Sequence, residues 1–278
     1  MGVAEETLSR LQRLETLAAL PCVKALHLPP DPAPGATRGE FCALELADGT
    51  VGLSYVLLDD TLAQLRQADR HFGLAGRPPL EIAQQWLEPE GARKAIGLAA
   101  VNALSRWCFD RAGWAPARSA DSMGALDARP EDHIGMIGLF TPLLQRVLDS
   151  GAQLTVVELK PELVAEHGRW RVTLDAQALR ACNKVLATGT LLMNDSLDRM
   201  LEPCAGASSI ALIGPTASCL PDALFQRGVT LMGGSWVTDG PRFLAALSAG
   251  EQRPGLSQKV SMQRGDYPGF DALLARLR

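Results

Sequence analysis

The sequence predicts an α/β protein whose C-terminal part contains a doubly wound parallel sheet. Between residues 134 and 234, short apolar runs alternate with segments of helical periodicity. Strands separated by helices of this length pair in parallel through right-handed crossovers. The runs at 133–142, 185–195 and 210–221 each break into Gly, Pro, Thr, Ser or Asn before the next helical segment. This organisation is Rossmann-like, and ligands of such sheets bind beside the carboxyl ends of the strands.

The first part of the chain predicts a smaller α+β domain. An opening amphipathic helix and a strand-like segment at 21–28 precede a Pro-rich loop at 29–35. Two β-type runs then flank Asp48-Gly49, which is a strong hairpin signal. Small residues in the last predicted helix of this part allow close packing on a neighbour. The helical segments are 61–72, 79–87 and 91–109.

A change of composition predicts the domain boundary. Residues 112–130 are rich in Gly, Ala, Pro, Arg and Asp and show little periodicity, which is typical of a linker. We place the boundary near Arg118, so that the α+β domain spans 1–118 and the Rossmann-like domain spans 119–278. The segment after Arg253 is polar and interrupted by Gly and Pro, and we expect only a closing helix at its end.

Charge and hydropathy exclude several kinds of partner. The chain has 278 residues and a formal net charge of -4, without a Lys/Arg cluster, so nucleic acid is not an expected partner. No apolar run is long enough to span a bilayer, and the N-terminal segment has acidic residues where a secretion signal has basic ones. We therefore expect a cytoplasmic protein without a membrane partner.

The common catalytic and metal-binding motifs are absent from the sequence. The six cysteines form no C-x-x-C pair and are expected to be reduced and mostly buried. The four histidines are widely separated, which argues against a preformed zinc site but leaves open a site assembled from distant residues. No G-x-S-x-G or P-loop occurs. Catalytic residues and metal ligands therefore remain unassigned.

The loop after the first C-terminal strand differs from a dinucleotide-binding loop. Such loops carry G-x-G-x-x-G, whereas Leu139 and Phe140 follow Gly138 here. We therefore expect no tight binding of NAD or NADP. Thr141 and Pro142 either begin the next helix or contact a ligand, and both alternatives remain open.

Glu158 ends the second strand of the C-terminal part. An acidic residue at this point of a Rossmann sheet often binds a ribose hydroxyl. The alternative is a solvated side chain that pairs with Lys160.

Two further loops combine glycine with hydroxyl residues. Thr188-Gly189-Thr190 can present hydroxyls and backbone N–H groups to a polar ligand, and Gly214-Pro215-Thr216 with Ser218 repeats this design after the next strand. We expect Gly189 and Gly214 to permit close approach of a ligand to the backbone. Asn194 follows the first loop and is either part of the same site or a helix cap.

Several segments together resemble a known family. They are GLAAVNAL (97–104), IGMIGLFTPLLQRV (134–147), VVELKP (156–161), VLATGTLLMNDSLDRML (185–201) and ALIGPTASCLPDALFQRGVTLMGG (211–234). Over most of the chain, and in this order, they are similar to the putative heavy-metal chelation family of bacterial and archaeal proteins. The resemblance implies an N-terminal domain similar to that of enolase, a Rossmann-like C-terminal domain and a site in the cleft between them. The positions carried over are Gly138, Phe140, Glu158, Thr188, Gly189, Asn194, Gly214 and Thr216.

Asn102 is the candidate site residue from the N-terminal domain. A polar amide inside an apolar helix must find hydrogen-bond partners. These partners are either a ligand or the backbone of the predicted hairpin.

Three hypotheses for the function follow. The leading hypothesis is a protein that binds a small polar ligand or a heavy-metal ion in the interdomain cleft, with the identity of the metal undefined. The alternative is an enzyme that uses a nucleotide-like cofactor such as S-adenosylmethionine, with Glu158 on the ribose. The third is a scaffold whose main property is the formation of a homodimer.

Overall fold

Two β-sheets organise the part of the chain that the structure describes. The computed structural model describes residues 1–32, 40–67, 72–119, 126–139 and 141–277. One sheet has three strands and the other has nine. The predicted combination of a large, mostly parallel sheet with a smaller α+β part is confirmed.

The three-stranded sheet is an antiparallel meander. Its strands are β1 (Val23–His27), β2 (Phe41–Leu46) and β3 (Val51–Tyr55), in the order β1-β2-β3. The turn between β2 and β3 contains Gly49 with a φ of +88°. The Asp48 carboxylate accepts a hydrogen bond of 3.0 Å from the N–H of Thr50 in the same turn. The predicted hairpin is therefore confirmed.

The longest helix of the chain packs directly on this meander. The helices of this part are α1 (Val3–Gln12), α2 (Thr61–Gln67), α3 (Pro79–Ala83) and α4 (Gly91–Arg111). A Cβ atom on Gly52 would lie 2.1 Å from the carbonyl oxygen of Ala99 in α4. A Cβ atom on Gly97 would lie 2.1 Å from the backbone nitrogen of Trp86. The backbones thus touch where α4 crosses its neighbours, as its small residues predicted.

The nine-stranded sheet contains a parallel core with antiparallel strands at both edges. Its parallel strands follow the order β8-β6-β5-β9-β10-β11, which is the 3-2-1-4-5-6 order of the Rossmann fold when the strands are numbered along the chain. The strand order reverses between β5 and β9. The strands are β4 (Ala117–Arg118), β5 (His133–Ile137), β6 (Gln153–Val157), β7 (Ala165–Glu166), β8 (Trp170–Thr173), β9 (Lys184–Thr188), β10 (Ser209–Ile213), β11 (Leu231–Val237) and β12 (Ser257–Gln263).

Helices connect most of these strands, as the alternating pattern predicted, and a last helix follows β12. They are α5 (Thr141–Asp149), α6 (Leu197–Leu201), α7 (Asp222–Phe225), α8 (Gly240–Ala249) and α9 (Phe270–Ala275). The helix predicted before β9 is a 3-10 segment, Ala176–Ala181. Another 3-10 segment, Gly189–Leu192, follows β9 and forms part of the site described below. None of the helices in the described ranges is long and apolar enough to cross a membrane.

Two strands lie where the sequence predicted irregular structure. The polar segment after Arg253 contains β12, which pairs antiparallel with β11 along its whole length. The predicted linker contains β4, which pairs with β12. Val260 and Met262 of β12 are buried, and these two apolar side chains anchor an otherwise polar strand.

One apolar core extends from the small sheet to the large one. The same cluster of buried side chains includes Leu44 of β2, Leu98 of α4 and Leu212 of β10. The outer face of the hairpin also packs on α8, where Leu53 and Phe243 belong to one cluster. The two parts on either side of the predicted boundary at residue 118 therefore share a core, and the division of the chain into two domains stays a prediction.

Candidate functional site

A cavity of about 710 Å³ opens at the carboxyl ends of β5, β6, β9 and β10. It lies beside the reversal of strand order between β5 and β9, where ligands of open α/β sheets bind. Part of its wall comes from the small sheet and the segment that follows it. These wall residues are Phe41, Tyr55, Leu57 and Leu58. The cavity is thus bounded by both parts of the chain.

Most of the site residues predicted from the sequence line this cavity. They are Gly138, Thr141, Glu158, Thr188, Gly189, Thr190, Asn194, Gly214, Pro215 and Thr216. Asn102 and Ser218 do not line it, and Phe140 lies outside the described residues. The aromatic pair Phe41 and Tyr55, with ring centroids 5.6 Å apart, was not predicted. Phe41 begins β2 and Tyr55 ends β3, and the residues next to them in the sequence do not indicate a ligand site.

Glu158 fixes the turn that follows β5. One oxygen of its carboxylate accepts a hydrogen bond from the N–H of Leu139, and the other accepts one of 3.0 Å from the N–H of Leu159. Gly138 has a φ of +84°, and its N–H donates to the carbonyl of Val157 at 2.9 Å. Glu158 thus binds backbone N–H groups on both sides of its strand end, and Lys160 lies on the same cavity wall.

The loop after β9 is held by its own hydroxyls. The Oγ1 atom of Thr188 accepts hydrogen bonds from the N–H of Thr190 at 3.3 Å and from the Thr190 hydroxyl at 3.1 Å. A Cβ atom on Gly189 would lie 3.1 Å from the backbone nitrogen of Ala217. This glycine therefore permits the close approach of two loops of the protein. Gly214 has a φ of +124°, a conformation that L side chains rarely adopt.

The loop after β10 is tied to the small sheet. The Thr216 hydroxyl accepts a hydrogen bond of 3.1 Å from the N–H of Tyr55. The Asn102 amide donates to the carbonyl of Leu53 at 2.7 Å and to that of Thr216 at 2.9 Å. Asn102 thus donates to the hairpin backbone and to the loop after β10, while its buried Oδ1 has no hydrogen-bond partner among the described residues. Ser218 likewise donates inside its own loop, to a backbone carbonyl at 2.9 Å.

A buried lysine holds the segment that carries Asn194. Lys94 of α4 is 1% exposed, and its ammonium donates to both carboxylate oxygens of Asp195 at 2.7 and 2.8 Å. A third hydrogen bond of 2.9 Å goes to the carbonyl of Glu88. Asp195 has a φ of +52°, so the ion pair stabilises a backbone conformation that is uncommon for a residue other than glycine. A lysine next to the long apolar stretch of α4 was the signal that the sequence offered for this contact.

Two family models match the chain. The DUF364 model, described as putative heavy-metal chelation, matches residues 121–264, and the DUF4213 model, with the same description, matches residues 39–105. The chain belongs to this family. An uncharacterised protein of Methanocaldococcus jannaschii is 27% identical over 175 residues, which are 61% of this chain and 66% of that protein. The chain therefore matches slightly less than two thirds of this curated relative.

Solved structures of the same family have a similar fold. A protein with unknown function from the DUF364 family, from Desulfitobacterium hafniense DCB-2, superposes with a TM-score of 0.70 at 22% identity, covering 95% of this chain and 98% of that chain. A second such protein, from Pyrococcus horikoshii, gives a TM-score of 0.64 at 19% identity, covering 92% and 99%. At these identities the similarity shows a common fold.

The family description raises the question of which side chains could hold a metal ion. Among the described residues, no group of three or more His, Cys, Asp or Glu side chains could do so. All six cysteines are free, and five of them are buried, as expected for most of them, whereas Cys22 is exposed. Burial raises the pKa of Cys42, Cys108 and Cys219 to about 12, so these thiols remain protonated at neutral pH. In the described ranges, the cysteines thus do not gather with His, Asp or Glu side chains into a group that could hold a metal ion.

Proposed function

We propose that this protein binds a small organic ligand in the cavity beside β5, β6, β9 and β10, and that any heavy metal enters as part of such a ligand. The observation that carries the proposal is the composition of the cavity wall. Apolar and aromatic side chains of both parts of the chain surround a few hydroxyl, amide and carboxylate groups and the ammonium-bearing side chain of Lys160. A volume of about 710 Å³ with such a wall is typical of small-molecule sites.

The donor set of the cavity favours an organic ligand over a bare metal ion. Soft metals are bound by thiolate, thioether and imidazole groups, and among the described residues Met200 alone brings such a group to the cavity wall. Glu158 supplies a carboxylate, and the threonines and Asn194 supply neutral oxygens. The paired rings of Phe41 and Tyr55 suit the apolar or planar body of an organic molecule. A chelating ligand would bring the remaining metal donors itself.

An enzyme with a nucleotide-like cofactor is the second candidate. Glu158 lies at the end of β6, where an acidic residue of a Rossmann sheet binds ribose hydroxyls. Each carboxylate oxygen accepts one hydrogen bond from the backbone and retains a further lone pair for a ligand hydroxyl. The position of this one side chain supports the candidate.

Native mass spectrometry and elemental analysis of the freshly purified full chain test the proposal. We expect a retained organic mass that is released on denaturation. Thr190→Trp should fill the cavity and abolish retention, whereas Thr16→Trp, at an exposed position outside the cavity, should preserve it. A retained adenosyl mass would favour the second candidate. A stoichiometric metal without an organic mass would contradict the proposal.

A further inference from the structure

The backbone turn after β5 corresponds to the phosphate-binding turn of a Rossmann nucleotide site. In such sites, the N–H groups between the first strand and its helix bind a phosphate, assisted by the helix N-terminus. Here β5 is the first of the parallel strands along the chain, and the N–H of Leu139 lies in the segment between β5 and α5. This N–H is not free to bind a ligand phosphate, because it donates to the carboxylate of Glu158.

The carboxylate is held in place from both sides. Strands β5 and β6 are neighbours, and Ile137 is paired with Val157, so the residues that follow them emerge side by side. The bond from Gly138 to the Val157 carbonyl extends this pairing by one residue. The second carboxylate oxygen of Glu158 accepts the N–H of Leu159 at 3.0 Å. The carboxylate of Glu158, which follows β6, thus lies beside the N–H groups of the turn after β5.

We propose that Glu158 is a specificity-determining residue that takes the place of a ligand phosphate at the β5 turn. The inference rests on the proposed small-molecule function of this cavity. A second anion at the same N–H would meet the negative charge of the carboxylate at short distance, and such like-charge contacts are strongly unfavourable. The ligand class selected at this point of the cavity therefore presents a hydrogen-bond donor, a hydroxyl or an ammonium group.

Phosphate binding to Glu158 variants of the full chain tests this assignment. The wild type should show no saturable binding of inorganic phosphate by calorimetry. Glu158→Ala removes the charge and uncovers the N–H of Leu139, and it should show saturable binding of phosphate. Its Kd should lie at least about tenfold below the highest phosphate concentration at which the wild type shows no saturation, since a charge-assisted hydrogen bond contributes at least this factor. Glu158→Gln keeps an oxygen acceptor beside the turn and should gain much less.

Glu162→Ala is the matched control, because Glu162 is an exposed acidic residue close in sequence that does not line the cavity. It removes the same charge without uncovering the turn. An equal gain in this control would assign the effect to net charge and overturn the inference. Saturable phosphate binding by the wild type, or no gain in a folded Glu158→Ala protein, would also overturn it. Circular dichroism checks folding, and Glu158→Ser provides a second truncation if the alanine variant fails to fold.

The identity of any retained ligand provides an independent readout. Phosphorus NMR of the material released from the wild type should show no phosphate ester, and a phosphorylated ligand would refute the inference. Failure of the small-molecule function itself would appear differently, as the absence of any retained organic mass. The gain of phosphate binding in Glu158→Ala is measured with inorganic phosphate and does not depend on that result.

Discussion

Replacing Asn102 by alanine tests whether this amide joins the small sheet to the site. The side chain is 1% exposed, and it donates to the carbonyls of Leu53 and Thr216 at 2.7 and 2.9 Å. Alanine removes both hydrogen bonds and leaves two buried carbonyl oxygens without this donor. Each loss costs about 1 to 3 kcal/mol, so the free energy of unfolding should fall by about 2 to 6 kcal/mol.

Urea unfolding of the wild type and two variants measures this effect. Asn194→Ala is the matched control, because it removes the same amide from the cavity wall, where Oδ1 accepts hydrogen bonds only from the nearby Ser196. The control should lose about 1 kcal/mol or less. A decrease in the free energy of unfolding below about 1 kcal/mol for Asn102→Ala, or a decrease equal to that of the control, would show that Asn102 does not join the small sheet to the site.

Three further substitutions test the packing and charge of the fold. Gly52→Ala should lower the free energy of unfolding, measured with urea, by about 3 kcal/mol or more, because its Cβ would lie 2.1 Å from the backbone of α4. Its control is Gly206→Ala, whose Cβ would have no atom within 4 Å and which should change the free energy of unfolding by less than about 0.5 kcal/mol. Burial alone would raise the pKa of Asp132, but its hydrogen bonds, led by that from Lys184, lower it. Its stabilisation is therefore present above the unfolded pKa of about 3.9 and is lost as the pH falls through the lower folded pKa, so Asp132→Asn should flatten the acid limb of the urea midpoint against pH. Lys94→Met should lower the free energy of unfolding in urea by about 1 to 3 kcal/mol, because Asp195 loses its ion pair. Native mass spectrometry should also show less retained ligand, because this ion pair holds the segment that carries Asn194.

The parallel core of the large sheet could be predicted because its signal is local. Each strand is an apolar run bounded by turn residues, and the helices between the runs leave parallel pairing as the simplest arrangement. Strand β12 lacked such a signal, since only Val260 and Met262 interrupt its polar residues with buried apolar side chains. Its extended conformation depends on hydrogen bonds to β11, a long-range pairing that composition does not reveal.

The difference between local signals and long-range contacts also explains which residues of the cavity wall were predicted. Glu158, Thr188 and Thr216 were found because parallel strands bring their carboxyl ends to one edge of the sheet. The wall formed by Phe41 and Tyr55 was missed because it depends on how the hairpin docks on the large sheet. That docking is set by contacts between distant residues, such as the hydrogen bond from Tyr55 to Thr216.

The glycines of the two threonine loops also have a packing role beside the expected approach of a ligand, which stays a prediction. A side chain on Gly189 would press on Ala217 at 3.1 to 3.2 Å, and Gly214 requires its positive φ, so substitution at either position disturbs the packing of the loops against each other. Loss of binding in Gly189→Val would therefore accompany a loss of stability and would not identify a ligand contact. The Glu158 carboxylate and the Thr190 hydroxyl reach the cavity from side chains and can be changed without entering this glycine contact. Ligand specificity is therefore best tested at these side chains, where binding and stability can be separated.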